Sequence, residues 1–173
     1  VLMDSHSAHD PVSGAGTLRY IEDINHAPPD QEYVSNWTFS QEVKTGKMVL
    51  TSYDFERPAT SLLTDASLKR KYDHADLENF DFQGDYIQVP DGHQFAADQL
   101  EEEQAQFHQL QGQGNAMGIE AGRTFKLDKH PRADQNAQYL LTHVQIQAKV
   151  ALFDAGESGS QYRCDFNAIP AAQ

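Results

Sequence analysis

Apolar and polar positions alternate in several short stretches of the chain, which is the pattern of β-strands with one buried face. Residues that favour turns, mainly Gly, Pro, Asn and Asp, separate most of these stretches. The pattern therefore predicts a mostly β protein built from short strands. The stretches are 17–21, 33–43, 48–55, 80–86, 123–127, 139–150 and 161–169, and the segment Val1–Asp4 is also strand-like.

Two features of this pattern predict local structure. The stretches 33–43 and 48–55 lie on either side of Lys44-Thr45-Gly46-Lys47, and a Gly-containing turn between two strand-like runs is typical of a β-hairpin. In the segment from Phe80 to Tyr86, aromatic residues alternate with polar ones. This alternation predicts a half-buried strand or extended segment.

One segment has the composition of a helix. Residues 94–110 are mainly Ala, Glu, Gln and Leu without internal Gly or Pro, and Asp91 precedes them as the expected N-cap, with Gln94 three residues later. Gly112 and Gly114 favour the end of the helix. Its apolar stripe is narrow, so we expect it to lie across a sheet.

The predicted fold class is therefore mostly β, of the α+β type: an antiparallel β-barrel with one packed helix at about 94–110. Closure into a barrel is favoured because it removes the free edges of a sheet.

Charge and cysteine content narrow the possible partners. The 173 residues include 26 acidic and 13 Lys or Arg residues, for a formal net charge of −13, which opposes binding to nucleic acid. No apolar run approaches the roughly 18–20 residues of a membrane helix, and no signal-peptide pattern is present. We therefore expect no nucleic acid and no membrane anchor. Cys164 is the single cysteine, which excludes an intramolecular disulfide. Because the chain begins at Val1 in a strand-like segment, we expect it to be an internal part of a longer polypeptide.

Two segments resemble parts of known catalytic or metal-binding sites, but each lacks a feature that such a site needs. Gly156-Glu157-Ser158-Gly159-Ser160 resembles a nucleophile elbow, but it lies between two predicted strands, whereas that motif needs a strand followed by a helix. His6 and His9 have Asp4 and Asp10 nearby, but no third His or Cys follows at the spacing of metal ligands. We interpret the first as a hairpin loop and the second as solvated histidines.

Other charged residues also favour a structural interpretation. Glu101-Glu102-Glu103 point in different directions on a helix and cannot flank one bond. Lys69-Arg70-Lys71 is an isolated basic cluster in an acidic chain. His130 precedes Pro131, which suits a turn, and Cys164 lies in a predicted strand. We therefore assign no catalytic, cofactor-binding or metal-binding residue and expect no cofactor and no enzymatic activity.

A series of motifs follows in a fixed order between Leu50 and Pro170. They are Tyr53-Asp54-Phe55 before Pro58, Ser61-Leu62-Leu63, Phe80-Asp81-Phe82-Gln83-Gly84-Asp85-Tyr86, Gly112-Gln113-Gly114-Asn115, Gly118 to Leu127, His130-Pro131-Arg132-Ala133-Asp134-Gln135-Asn136, Tyr139-Leu140-Leu141-Thr142 and Phe166-Asn167-Ala168-Ile169-Pro170.

In order and spacing this series resembles the VgrG family, the spike proteins of type VI secretion systems, which share a phage tail hub-like (late control D-like) region. Gln83 and Ala121 stand where the family usually has Pro, Ala116 where it often has Cys, and Ile146 where it often has His. These departures leave the expected fold intact but do not separate a type VI spike from a contractile phage tail hub.

The resemblance implies a structural role. In this family each chain carries two related β-barrels joined by a smaller α/β part, and three chains form a pseudo-sixfold ring that matches the hexameric Hcp tube. Residues 1–35 would then be the end of the linking part and 36–173 the second hub barrel.

The partners that the resemblance implies are other copies of the chain in a homotrimer, the Hcp tube protein, baseplate proteins, and effector or tip proteins bound through parts outside this chain. The family is assembled in the bacterial cytoplasm and translocated toward a target cell without a signal peptide. For this chain alone we expect a monomer or a weak trimer.

Two alternatives from another class remain open. A tail-associated cell-wall hydrolase would need spaced carboxylates or a Cys and His pair in a cleft. A glycan-binding module would present exposed aromatic side chains on one rim of the barrel.

Overall fold

The structure is a computed structural model, and it describes residues 9–14, 16–28, 30–149 and 161–171. The chain forms two compact units: a barrel unit of residues 1–40 and 108–173, and an insert unit of residues 41–107. The elements are β1 (Thr17–Tyr20), β2 (Tyr33–Gln41), β3 (Lys47–Thr51), β4 (Thr64–Ser67), β5 (Glu78–Phe82), α1 (Val89–Ala105), β6 (His108–Gly114), β7 (Thr124–Asp128), β8 (Gln138–Lys149) and β9 (Gln161–Pro170).

The barrel unit is a closed barrel with the strand order β1-β2-β6-β9-β8-β7. The pairs β6–β9, β8–β9 and β7–β8 are antiparallel, whereas β1 runs parallel to both of its neighbours. The predicted mostly β fold with a closed barrel and one helix is confirmed, and the parallel placement of β1 differs from the predicted antiparallel barrel.

Alternate residues of the barrel strands point inward and form the core. The aromatic part of this core is tightly packed: the ring centroid of Phe125 lies 5.8 Å from that of Tyr139, 5.6 Å from that of Phe166 and 6.3 Å from that of Trp37. The buried core residues are Val12, Leu18, Val34, Leu110, Ala116, Ile119, Phe125, Leu127, Tyr139, Leu141, Cys164, Phe166 and Ala168.

Gly112 has a packing role in this core. A Cβ atom at Gly112 would lie 2.5 Å from Cζ of Phe166 and 3.1 Å from Cε3 of Trp37. The strand β6 therefore passes close to the aromatic rings because it carries glycine at this inward position.

The insert unit is a three-stranded sheet with one helix. β3 is the central strand, antiparallel to β4 and parallel to β5, and α1 packs on β3 and β4. The core between helix and sheet consists of Met48, Leu50, Leu62, Tyr86, Ala96 and Leu100.

The predicted ends of the helix were wrong. The helix begins at Val89 with Gln88 as its N-cap and Pro90 in its first turn, a position where proline is tolerated, so Asp91 lies inside the first turn instead of capping it. It ends at Ala105, and the predicted last helical residues belong to β6, where Leu110 is only 1% exposed. Burial in the barrel outweighs the helical propensity of this segment.

The predicted hairpin was also wrong. β2 belongs to the barrel and β3 to the sheet of the insert unit, where its partners are β4 and β5. The segment from Phe80 to Tyr86 overlaps the last three residues of β5, but every residue of this strand is exposed, and only Tyr86 beyond its end is buried. Aromatic alternation thus identified the strand but not its exposure.

The remaining strand predictions are confirmed as β1, β7, β8 and β9, with ends that differ by a few residues. Val1–Asp4 lies outside the described residues. β1, which falls within the range 1–35, pairs with β2 and β7 of the barrel. The correspondence of 1–35 and 36–173 to parts of a longer hub stays a prediction. Within the described residues, no helix is both long and apolar enough to cross a membrane.

Candidate assembly surface

The residues considered for chemistry are dispersed. Nδ1 of His9 lies 2.9 Å from the carbonyl oxygen of Gly122, and Asp10 forms an ion pair with Arg123 at 3.1 Å. Among the residues that the structure describes, no three His, Cys, Asp or Glu side chains are grouped to hold a metal ion. Asp4, His6 and the segment 156–160 lie outside the described residues.

The basic cluster and the acidic helix residues have structural surroundings. Nε of Arg70 donates to Oε1 of Gln104, and its guanidinium lies 4.6 Å from the ring centroid of Phe107. Glu101 and Glu102 are exposed on α1. Arg70 therefore stabilises the insert unit, and Glu101 and Glu102 are part of the exposed surface of α1.

Cys164 is in the barrel core, between the strands β6 and β8. It is fully buried, and burial raises the pKa of its thiol to about 11, although contacts with the main chain of Ala116 and Gly114 act in the opposite direction. A thiol with so high a pKa is almost entirely protonated at neutral pH, which is unfavourable for a nucleophile.

The Tyr53-Asp54-Phe55 motif forms a turn that its central carboxylate anchors. Asp54 is 4% exposed; its Oδ1 accepts hydrogen bonds from N of Glu56 and Arg57 at 2.9 and 3.3 Å, and Oδ2 accepts from Nε of Arg57 at 3.0 Å. Burial alone raises the pKa of Asp54, but these bonds outweigh burial and hold it below its usual value. These bonds therefore hold the main chain of the turn that carries Tyr53 and Phe55.

The next motif ends in a buried hydrogen bond network. The hydroxyl of Tyr86 donates to the carbonyl oxygen of Leu62 at 2.7 Å and lies 3.0 Å from Oγ1 of Thr64. Gly92 packs against the same ring, because a Cβ atom there would lie 2.4 Å from Cε2 of Tyr86. This tyrosine joins the loop before β4 to the start of α1.

Two motifs of the barrel unit build loops. Oδ1 of Asn115 accepts from N of Tyr33 at 2.8 Å, and its Nδ2 donates to the carbonyl oxygen of Gln31 at 3.1 Å. Oδ1 of Asn136 accepts from N of His130 at 2.8 Å, and its Nδ2 donates to the carbonyl oxygen of His130 at 3.0 Å. Each asparagine replaces main-chain partners that these loops lack.

Gln135, in the same loop as His130 and Asn136, reaches the barrel core. It is 3% exposed, and its Oε1 accepts from Nε1 of Trp37 at 2.9 Å while its carbonyl oxygen accepts from the hydroxyl of Tyr139 at 2.8 Å. These motif residues thus hold the loop against the barrel, and none of them is arranged for chemistry.

Four aromatic residues of the motifs are instead exposed. They form the aromatic patch: Tyr53 (59% exposed), Phe55 (81%), Phe80 (59%) and Phe82 (60%). β3 and β5 are parallel, with Phe82 opposite Thr51, so the turn that follows β3 lies at the same end of the sheet as Phe82. The patch therefore occupies one end of the insert unit's sheet.

Phe80 and Phe82 of the patch face away from the helix of the insert unit. Met48 and Leu50 of β3 pack in the core beneath α1, whereas Val49 between them points to the other face. Phe80 is opposite Val49 in the ladder, so Phe80 and Phe82 share that other face. An exposed group of large aromatic side chains is typical of a protein interaction surface.

The barrel unit has a different, polar surface. A cleft of about 240 Å³ on its outer side is lined by residues that include Asn36, His143 and Asp165. Asn36 donates to Gln113 at 2.9 Å and Gln113 donates to Asp165 at 2.5 Å. The hydrogen bonds from Gln113 and Arg163 hold the pKa of Asp165 below its usual value. Asn36, Gln113 and Asp165 are thus paired with one another.

The sequence did not identify the aromatic patch, because aromatic alternation was interpreted as half-burial. The signal that could have found it is the composition of β5, Glu-Asn-Phe-Asp-Phe. Asp81 between the two phenylalanines and Glu78 before them fit an exposed edge strand better than one that is covered on one face.

Comparisons with known proteins give the family. The model of the phage tail baseplate hub (GPD) family matches residues 1–151. The chain is 32% identical to the type VI secretion system spike protein VgrG1a of Pseudomonas aeruginosa and 31% identical to VgrG1c of the same organism, each over the whole chain. The chain spans 27% and 24% of those two proteins.

Two more distant similarities also point to VgrG and phage tail proteins. The chain is 26% identical to the actin cross-linking toxin VgrG1 of Vibrio cholerae, over 82% of the chain and 13% of that protein. The fold resembles the 43 kDa tail protein of prophage MuSo2 from Shewanella oneidensis with a TM-score of 0.59 at 6% identity, over 95% of this chain and 46% of that one.

The relatives matched over the whole chain bear the names of spike proteins, which confirms both the resemblance to VgrG and the predicted non-enzymatic, structural class. The family model covers most of the sequence, and the chain therefore belongs to the phage tail baseplate hub (GPD) family.

Proposed function

We propose that this chain is part of the hub at the base of a type VI secretion spike, where it self-associates as a homotrimer within a longer protein and docks on the Hcp tube. Family membership and the two whole-chain relatives support a structural component of this kind. In this proposal the chain corresponds to the end of the linking part and the second hub barrel of the longer protein.

The aromatic patch is the observation that carries the proposal. A protein that acted alone would have little reason to hold Phe55 81% exposed on a turn that a buried carboxylate fixes in place. Because the hydrogen bonds of Asp54 already hold the main chain of this turn, the turn loses little backbone entropy on binding, which suits a protein interface. We assign the patch to contacts with another subunit of the hub or with the tube.

The proposal includes further partners and a location. Baseplate proteins would surround the hub, and effector or tip proteins would bind through parts outside this chain. In the proposal, the protein assembles in the bacterial cytoplasm and is then translocated toward a target cell. The names of the relatives support the link to a type VI secretion system.

A contractile phage tail hub is the second candidate. The family description and the fold of the prophage tail protein favour it. The whole-chain relatives at 31–32% identity are spike proteins, and we therefore place the type VI spike first. Within the described residues, the exposed large apolar side chains of the barrel unit are Ile24, Met117 and Ile146, so no aromatic rim supports a glycan-binding barrel.

The experiment that tests the proposal separates assembly from folding. In the longer protein, the double substitution Phe55→Ser and Phe82→Ser should abolish recovery of the complex with Hcp. Because both side chains are mostly exposed, the free energy of unfolding should change by no more than about 0.5 kcal/mol per site. The matched control is Met117→Ser, which removes an apolar side chain that is 73% exposed in the barrel unit.

Recovery of the Hcp complex by the double variant at the level of the control would contradict the assignment of the patch. Absence of the complex with the unaltered protein would contradict the hub function itself.

A further inference from the structure

The strand β8 is longer than the neighbour on one of its two sides. β7 follows β8 only as far as Leu141, whose N–H and C=O bond to Arg123 and Gly122 at 2.9 and 2.8 Å. β9 accompanies β8 to its last residue, Lys149. In the part of the chain that the structure describes, residues 142–148 therefore have a strand on one side only. We call this the free edge of β8.

Beyond its first residue, the free edge lacks the features that natural proteins use to protect such edges. Residues 142–148 contain no Pro, no Gly, no Asp or Glu, and no Lys or Arg. A bulge lies at Thr142, the first residue of the edge, and from His143 to Lys149 β8 pairs with β9 in regular register. Unprotected edges of this length present unpaired N–H and C=O groups to which another strand can bind.

The apolar side chains of the free edge are placed to contact an added strand. Val144 and Ile146 are opposite Phe166 and Cys164, both in the barrel core, so they share the inner face of the sheet. Val144 packs on the core, whereas Ile146 is 50% exposed. An added strand would extend the barrel sheet and cover Ile146.

The distribution of charge on the chain bears on which molecule can supply the added strand. The chain carries a net charge of −13, so two copies repel each other over most of their surfaces. No acidic residue occurs from Gln135 to Lys149. Asp165 of β9 lies opposite Gln145, but it is paired with Arg163 at 3.2 Å. The free edge is therefore a place where an equally acidic molecule meets little like-charge repulsion.

We infer that the free edge of β8 binds a strand of a second copy of this chain. The choice of occupant rests on the proposed self-association of the hub, whereas the location rests on the strand pairing and on the exposure of Ile146. Main-chain hydrogen bonds supply the contact, and Ile146 supplies its apolar part.

Sedimentation equilibrium of this chain over a wide concentration range tests the inference. The unaltered chain should self-associate weakly, and Ile146→Lys should weaken the association by about tenfold or more, because lysine on an edge opposes strand addition. Met117→Lys is the matched control, with the same change in charge at an exposed apolar residue outside β8, and it should associate like the unaltered chain. Hydrogen exchange should show protection of 142–148 that increases with chain concentration.

The outcomes separate the inference from the proposed function. Equal association of the Ile146→Lys and Met117→Lys variants, without protection of the free edge, would overturn the inference and leave self-association intact. A chain that stays monomeric at all concentrations overturns the second copy as occupant. The hub function is judged separately by recovery of the complex between the longer protein and Hcp.

Discussion

The hydrogen bond between Gln135 and Trp37 joins a family motif to the barrel core, and its contribution can be measured. Replacing Gln135 with Met keeps a side chain of similar size but leaves Nε1 of Trp37 without the acceptor that now lies 2.9 Å away. Leaving a buried donor unpaired costs about 1–3 kcal/mol. Because Gln135 is 3% exposed, water replaces the lost acceptor poorly, so we expect a loss in this range.

A double-mutant cycle with Trp37→Phe isolates this bond. Once the indole N–H is absent, the Gln135→Met substitution should cost about 1 kcal/mol less than in the unaltered chain. Urea unfolding followed by circular dichroism gives the four free energies, since Trp37 is the only tryptophan and cannot serve as the probe in every variant. Gln138→Met, at an exposed position of β8, is the control and should change the free energy of unfolding by less than about 0.5 kcal/mol. A coupling energy near zero would refute the role given to the motif.

Three other predictions concern the barrel core. Gly112→Ala should lower the free energy of unfolding by about 1–3 kcal/mol in urea unfolding, since the added methyl group overlaps Phe166; an unchanged midpoint would contradict this. Cys164, whose pKa is raised by burial to about 11, should not react with Ellman's reagent at pH 8 until the protein is unfolded, so fast reaction of the native chain argues against the placement. Burial, with Asp134 nearby, raises the pKa of Tyr139 to about 12. A tyrosine of the unfolded chain ionises near pH 10, so the stability that neutral Tyr139 contributes is complete below about pH 10 and is lost as the pH rises to about 12. Absorbance titration against Tyr139→Phe measures this, and ionisation near pH 10 in the native chain would contradict it.

Local patterns predicted the barrel strands well because each has a buried face. In β7, Phe125 and Leu127 alternate with Lys126 between them, and both apolar side chains are in the core. In such strands, apolar and polar residues alternate in the sequence as buried and exposed positions alternate in the structure.

The sequence could not predict which strands pair. The predicted hairpin partners β2 and β3 are close in the chain but belong to different units, because β2 pairs in the barrel with β6, which is distant in the sequence. The end of the helix was missed for a similar reason, since Gln106 to Leu110 have helical propensity but Leu110 is needed in the barrel core. Long-range packing decided both cases.

The family motifs contain the residues of the candidate surface, but the sequence did not show which motif residues are exposed and which form internal hydrogen bonds. Asp54, Tyr86, Asn115 and Gln135 are motif residues whose side chains are used in internal hydrogen bonds. The residues of the aromatic patch differ from these four because they are exposed. The sequence pattern could not show this difference, since a phenylalanine on a strand is more often buried than exposed.

The stoichiometry of the complex with the tube protein tests the central claim most directly. Native mass spectrometry of the longer protein mixed with Hcp measures how many copies of each are present. We predict three copies of the hub protein on a ring of six Hcp subunits, because the two similar barrels expected in each longer chain would let a threefold protein match a sixfold tube. A complex without this ratio, or no complex at all, would contradict the account.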